Sequence, residues 1–263
     1  MDIINVLDRH LRNKKQLPGL ACVLETDPSA DQGLRGNPAG TMVQAFIGPW
    51  GSQLQQGVAP GMDWAMRLPA ETSPLTSWSW YSGKDGGCLI EGEFYSEAWG
   101  RRPVRGYDEH LAREVFEQVK HNGIFAINEL NGIFGGVVWS SRNREAYVFT
   151  DRLGIRRMFY RKVGSRLEIA NCLHGFRASG NNGVKPDWHA ISQLLTLRYP
   201  LSGRTVLADI SKVLSGEAVV ADRHGFRTTR YHRLPVRLRR AMPPPKSRVK
   251  FSSKRCPTAS NVL

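Results

Sequence analysis

A chain of 263 residues, 41% of them hydrophobic, has the composition of a globular protein and enough apolar mass for one large domain or two small ones, which excludes a fibrous or wholly disordered class. The formal charge of +14 is uneven: residues 235–263 hold eight Lys or Arg and no Asp or Glu, so fourteen less eight leaves an ordinary +6 for the rest. Cys22, Cys88, Cys172 and Cys256 are scattered without CxxC spacing, which argues for reduced thiols and against a disulfide framework or a zinc site, and no stretch approaches 18 apolar residues. No metal and no membrane are expected, and the cytoplasm is the default compartment.

Ile3, Ile4, Leu7 and Leu11 fall at helical spacing before Arg12-Asn13-Lys14-Lys15, which predicts a short N-terminal helix; its six charged side chains do not suit a signal peptide. Leu20 to Leu24 reads as a buried strand closed by Asp27-Pro28-Ser29. The Gly-, Pro- and Gln-rich stretch 31–61 reads as loops around one strand at Met42 to Ile47. Trp78-Ser79-Trp80 alternates as an edge strand does, Ser82 to Gly87 is a turn, and Cys88-Leu89-Ile90 is a strand. Arg113 to Lys120 is an amphipathic helix with Val115, Phe116 and Val119 on one face, stopped by Asn122-Gly123, and Ile124 to Glu129 is a second helical turn.

Ile133 to Trp139 and Ala146 to Thr150, separated by a polar turn, predict a hairpin; Gly135 and Gly136 inside it predict a close approach by another layer. Asp151-Arg152-Leu153-Gly154-Ile155 is a tight turn held by its Asp-Arg pair, and Met158-Phe159-Tyr160 a return strand. Arg161 to Ser165 reads as a turn and Leu167 to Asn171 as a strand. Asp187 caps a helix, Trp188 to Leu197, with Ile191, Leu194 and Leu195 as its buried stripe. Leu207 to Tyr231 gives an approach turn, a strand, a tight Asp-x-x-Gly turn and a final strand. From Pro235 onward the chain is Pro-, Arg- and Ser-rich without apolar periodicity. It reads either as an arm for phosphates or as a disordered tail, native or translated out of frame; the second reading is favoured, so no nucleic-acid partner is expected.

The run Leu130 to Tyr160, LNGIFGGVVWSSRNREAYVFTDRLGIRRMFY, resembles the glutamine-amidotransferase half of glutamine-hydrolysing asparagine synthase, a class II amidotransferase whose pattern is LxGxFAFxxWD, a short hairpin, then DRxGxxPLYY. Its structural motif falls on Asn131, Gly132, Asp151, Arg152 and Gly154, with Arg157 where proline is usual. The resemblance runs from about Pro18 to Tyr231. It implies a domain over 18–233, between an N-terminal helical extension, 1–17, and a basic disordered tail, 234–263. The implied fold is α+β: an N-terminal-nucleophile-hydrolase-like four-layer αββα sandwich of two antiparallel sheets with helices outside.

In that family the mature chain opens on a cysteine that attacks the glutamine amide, its own α-amino group serving as base. Matching Gly19-Leu20-Ala21 to the family's GIA puts Pro18 at that place. The chain opens on Met1-Asp2, so no catalytic residue is assigned. Cys22, four residues beyond, reads as a buried hydrophobe, the other route being removal of a propeptide before it. Glu91-Gly92-Glu93 resembles the family's NGE, whose Asn side chain and Gly N–H steady the negative oxygen while the Glu binds the substrate's α-amino group. Glu91 replaces that Asn, which sets a carboxylate against a developing anion.

Arg67 stands near the spacing of the family's carboxylate-holding arginine, a solvated surface arginine being the other reading. The family's Asp falls on Ala112, with Asp108 as a substitute. The glutamine-pocket remnant is therefore Arg67, Glu91, Gly92, Glu93 and Asp108. SGKDGG at 82–87 has the wrong order for the SGGxDS phosphate loop and no helix behind it, so ATP and Mg belong to the synthetase domain that this chain lacks. The implied function is a truncated, catalytically inactive amidotransferase domain from a family that amidates aspartate with ATP and glutamine. The alternative is a non-enzymatic docking module for a separate synthetase-type partner. Glutamine is the implied small ligand.

Overall fold

Leu20, Cys22 and Leu24 alternate with Ala21 and Val23 along β1 (Gly19–Glu25), and every residue of the strand is buried, so protein lies on both of its faces. The computed structural model describes residues 19–27, 29, 37–44, 54–68, 77–95, 106–107, 109–178 and 185–234; the expected N-terminal helix and the basic tail lie outside them. β1 pairs antiparallel with β3 (Met62–Arg67) on one side and β10 (Arg166–Ala170) on the other. With β2 (Leu54–Ala59), β9 (Phe159–Val163) and β11 (Ile210–Lys212) they form a six-stranded sheet in the order β11-β9-β10-β1-β3-β2.

The second sheet has seven strands: β4 (Ser77–Gly83), β5 (Gly86–Phe94), β6 (Gly106–Tyr107), β7 (Gly132–Ser140), β8 (Glu145–Thr150), β12 (Glu217–Asp222) and β13 (Gly225–Arg230), in the order β13-β12-β8-β7-β5-β4-β6. All its pairings are antiparallel except that of β6 with β4. Trp78 to Trp80 therefore lies one place in from the rim, covered by a two-residue strand.

Between the sheets, Leu20, Cys22, Leu24, Trp64 and Met66 meet Leu89, Val137, Trp139, Val148 and Val219. Trp64 and Trp139, one from each sheet, are tilted rings with centroids 6.4 Å apart. The outer face of the second sheet, with Ile90, Phe134 and Phe149, packs on Leu111, Val115, Phe116 and Val119 of α2 (Glu109–Asn122). That helix stops at Gly123, at φ 71°, before a 3-10 turn over Ile124–Glu129. The outer face of the first sheet packs Ala21, Val23 and Ala65 on Ala39, Met42 and Val43 of α1 (Pro38–Gln44) and on Phe176 of α3 (Gly175–Ala178). Each large apolar side chain fully buried in these layers is worth about 1.5–3 kcal/mol. Helix, sheet, sheet, helix is the four-layer αββα order expected from the resemblance.

Three expectations are corrected. The strand expected from Met42 is the end of α1. Asn37 Oδ1 accepts from Gly40 N at 2.7 Å and Asp63 Oδ2, from β3, accepts from Ala39 N at 2.8 Å, so two side chains satisfy the helix's first N–H groups. The turn expected over Arg161 to Ser165 is confined to Gly164-Ser165, because Arg161 Nε is held by Glu168 at 2.7 Å across β9 and β10 and keeps the strand going. The helix α4 (Trp188–Leu197) forms with Asp187 as its cap, Oδ1 accepting from Ala190 N at 3.0 Å, but its apolar stripe is not buried: Ala190 is its one buried residue, and Leu195 is 79% exposed.

Candidate functional site

The hairpin β7–β8 and the turn that follows it build the frame of the site. Asp151, 1% exposed, accepts from Leu153 N at 2.9 Å and Ile155 N at 3.3 Å through Oδ1, and from Arg156 N at 3.0 Å through Oδ2. Gly154 sits at φ 68° with Ser215 Cα 3.2 Å from where a Cβ would stand, so the turn is closed against the approach to β12. Gly216 N reaches Asp151 O at 3.2 Å, and the Tyr231 hydroxyl donates to Thr150 O. Arg152 Nη2 donates to Asn128 O, tying the turn to the 3-10 segment. At Gly135 a Cβ would stand 3.0 Å from Met158 Cγ, which is the close approach expected there. Tyr95 N donates to Asn131 O at 2.9 Å, and Gly132 pairs with Phe94, so the Asn-Gly pair anchors the end of β5.

Glu91, on the face of β5 turned toward the first sheet, is 4% exposed. Asn171, just past the end of β10, donates from Nδ2 to Glu91 Oε1 at 2.9 Å while its Oδ1 accepts from Leu20 N at 3.1 Å. One side-chain amide thus joins the start of β1 to the buried carboxyl of the opposite sheet. Burial raises the Glu91 carboxyl above the ordinary carboxylate range, against the opposing pull of Arg156 and the Asn171 bond. In its neutral form the group offers an O–H donor as well as acceptors.

Gly92 lies at φ 154°, and a Cβ there would sit 2.3 Å from Ile133 O, so the position is reserved for glycine. Glu93 is an ion-pair partner of Arg156 at 3.8 Å and accepts from the Tyr95 hydroxyl at 3.2 Å. Glu91, Gly92 and Glu93 are therefore brought together with Asn171 and Arg156. Met66 and Leu68 enter the core between the sheets, so strand alternation directs Arg67 to the opposite face, with Asp63 and Ala65. Asp108 lies outside the described residues.

Cys22 and Cys88 are wholly buried, and burial pushes both thiols up; Cys172, half-buried, lies 3.5 Å from His174 Nδ1 and is also raised by burial. A buried neutral thiol is a poor nucleophile. Ser82 to Gly87 forms the tip of the β4–β5 hairpin, the turn itself being Lys84-Asp85, so these residues do not fit a phosphate loop opening a helix. Among the described residues no group of three His, Cys, Asp or Glu could hold a metal ion, and no helix is long and apolar enough to cross a membrane.

Asn171 and Arg156 were not singled out in the sequence. The available signals were an amide directly after the strand Leu167 to Ala170 and an arginine next to the position where the pattern departs.

Residues 113–232 match the model of a glutamine amidotransferase domain. Over that stretch, a little under half of the chain, the protein is similar to glutamine amidotransferase domains. The amidotransferase match opens inside α2, so Arg67 and the Glu91-Gly92-Glu93 segment precede it. The chain is 23% identical over 159 residues to asparagine synthetase [glutamine-hydrolyzing] 3 of Bacillus subtilis, covering 57% of this chain and 26% of that protein. It is 25% identical over 137 residues to amidase chyE of Penicillium rubens, covering 51% of this chain and 20% of the relative. The chain thus spans about a quarter or less of these relatives' length. Among solved structures, the glutamine phosphoribosylpyrophosphate amidotransferase of B. subtilis, complexed with ADP and GMP, aligns at TM-score 0.42 and 13% identity over 86% of this chain and 45% of that one.

Proposed function

We propose that this amidotransferase domain, of the asparagine-synthetase type, no longer hydrolyses glutamine. The observation that carries the reading is the Glu91–Asn171–Leu20 chain of hydrogen bonds. Where the family pattern sets an amide donor beside the start of β1, this protein sets a buried carboxyl, and the neighbouring amide is spent on holding it. Loss of one oxyanion donor lowers turnover by about 10²–10³. A carboxylate that ionised there would repel the tetrahedral oxygen further. The buried state of Cys22 supports the same reading, since burial and then the nearby Asp63 push its thiol up and disfavour the thiolate. Glutamine is the small ligand that the domain type suggests, and the site's remaining polar groups, Glu93 and Arg156, suit the zwitterionic end of an amino acid.

The test is ammonia release from glutamine by the purified chain, measured with a coupled dehydrogenase, alongside Cys22→Ala and Glu91→Asn. No release above buffer is expected from the first two. Release that survives Cys22→Ala would remove the ground for inactivity, and release abolished by it, with a new N-terminus at Cys22, would establish a processed enzyme.

A further inference from the structure

Arg156 stands beside two carboxyls of one strand. Leu89 lies in the core between the sheets while Ile90 and Phe94 pack on the outer side, so alternation along β5 sets Glu91 and Glu93 on the same inner face, about 7 Å apart. The register partner of Glu91 on β7 is Gly135, and Arg156 Cβ lies 3.5 Å from where a Cβ of that glycine would stand. Facing positions of neighbouring strands bring Cβ atoms to about 4.5–5.5 Å, so the Arg156 side chain starts within reach of Glu91. Its ion-pair partner is nevertheless Glu93, the more exposed of the two.

The guanidinium is held there loosely. Arg156 Nη2 is 3.8 Å from Glu93 Oε1, beyond hydrogen-bond reach, and its Nε is buried with no hydrogen-bond partner among the described residues. The backbone N–H of Arg156, by contrast, is fixed on Asp151 Oδ2 at 3.0 Å, so the head can turn while the root stays. Around Glu91, β4 presents Trp78 and β7 presents Gly135, neither of them ionisable, and the first sheet presents the Asn171 amide and the Leu20 N–H. The turn presents Arg156 and Asp151, whose carboxyl is taken up by three N–H groups. The cation that Glu91 meets is therefore Arg156, and burial keeps the carboxyl neutral against its pull.

We propose that Glu91 and Glu93 share this one guanidinium and that a proton on Glu91 decides which of them has it: Glu93 while Glu91 is neutral, Glu91 once it has ionised. The consequence for a ligand rests on the reading that Glu93 and Arg156 take the zwitterionic end of an amino acid. With Glu91 protonated, Arg156 stays beside Glu93 and meets the ligand's carboxylate. When the proton leaves, the guanidinium turns inward, Glu93 keeps only the Tyr95 hydroxyl, and the amino acid loses its cationic partner. Binding is strong on the acid side and falls by about tenfold per pH unit above the point where the folded protein ionises Glu91.

The test is solution NMR of the full chain, with labelled arginine and glutamate, beside calorimetric titration with L-glutamine, both from pH 5 to 9. The Arg156 Nε–H signal, assigned with Arg156→Lys, is expected to show an Overhauser contact to the Glu93 side chain in acid and to exchange it for one to Glu91 as pH rises. In Glu91→Gln the contact to Glu93 is expected at every pH, and glutamine affinity should lose the pH dependence by which the parent differs from it. A contact to Glu93 that persists in the parent throughout overturns the proposal. So does an exchange of contacts that survives in Glu91→Gln. The exchange seen in a parent that binds no glutamine at any pH upholds the shared guanidinium and overturns the reading of Glu93 and Arg156 as an amino-acid site.

Discussion

Replacing Asp151 by alanine will lower the melting temperature by roughly 6–12 °C, the shift that follows from a loss of about 3 kcal/mol in a domain of this size. The carboxylate accepts from three N–H groups of the turn, those of Leu153, Ile155 and Arg156, and it is buried, so water cannot take its place cheaply. The turn also carries the contacts of Gly216 and Tyr231 and sets Arg156 beside Glu93. Asp151→Asn keeps one acceptor oxygen and should lose only part of that stability. Thermal unfolding of the two variants, followed by circular dichroism, checks the order. An alanine variant as stable as the parent would show that the turn is held by its surroundings and not by the carboxylate.

A second large effect is expected at Glu91, and it depends on pH. Burial raises the carboxyl in the folded state, so its contribution to stability is fully present below the unfolded pKa and is lost as pH rises through the folded one. Between those two values the unfolded chain gives up a proton that the folded chain keeps, which favours unfolding. Glu91→Gln keeps an oxygen for Asn171 Nδ2 and has no proton to lose. The variant should therefore gain on the parent from pH 4.5 upward, by about 1–3 kcal/mol once the buried group is forced to ionise, and the gain should vanish in acid. Asp63, raised by burial, acts with the same sign in both proteins, and Asp187, lowered by its capping bond from Ala190 N, acts with the opposite sign in both. Only the difference between the two denaturant curves, measured across pH 4 to 9, isolates Glu91. A difference that does not change with pH would mean that the carboxyl titrates as a solvated one.

The frame of the site was legible because its signals are local. The polar turn between β7 and β8, the aspartate that gathers the next few N–H groups and the glycine two residues before Arg156 all act within a handful of positions, and their order matched a known pattern. What failed was whatever depends on distant partners. The run from Met42 has apolar content that suits a strand or a helix equally, and the choice was made by Asp63 reaching in from β3 to cap the segment. The period of α4 was readable, but periodicity says which side chains share a face and not what covers them. Asn171 stands 80 residues from Glu91 and cannot be linked to it by any local rule.

The indoles of Trp64 and Trp139 belong to different sheets and meet at 6.4 Å with a 36° tilt between them. Two such chromophores held close and out of parallel couple their electronic transitions, so the pair acts as a built-in optical gauge of how one layer sits upon the other. Any ligand, partner or substitution that slides the layers changes that coupling, and with it the ultraviolet circular dichroism contributed by the pair, without a label being added.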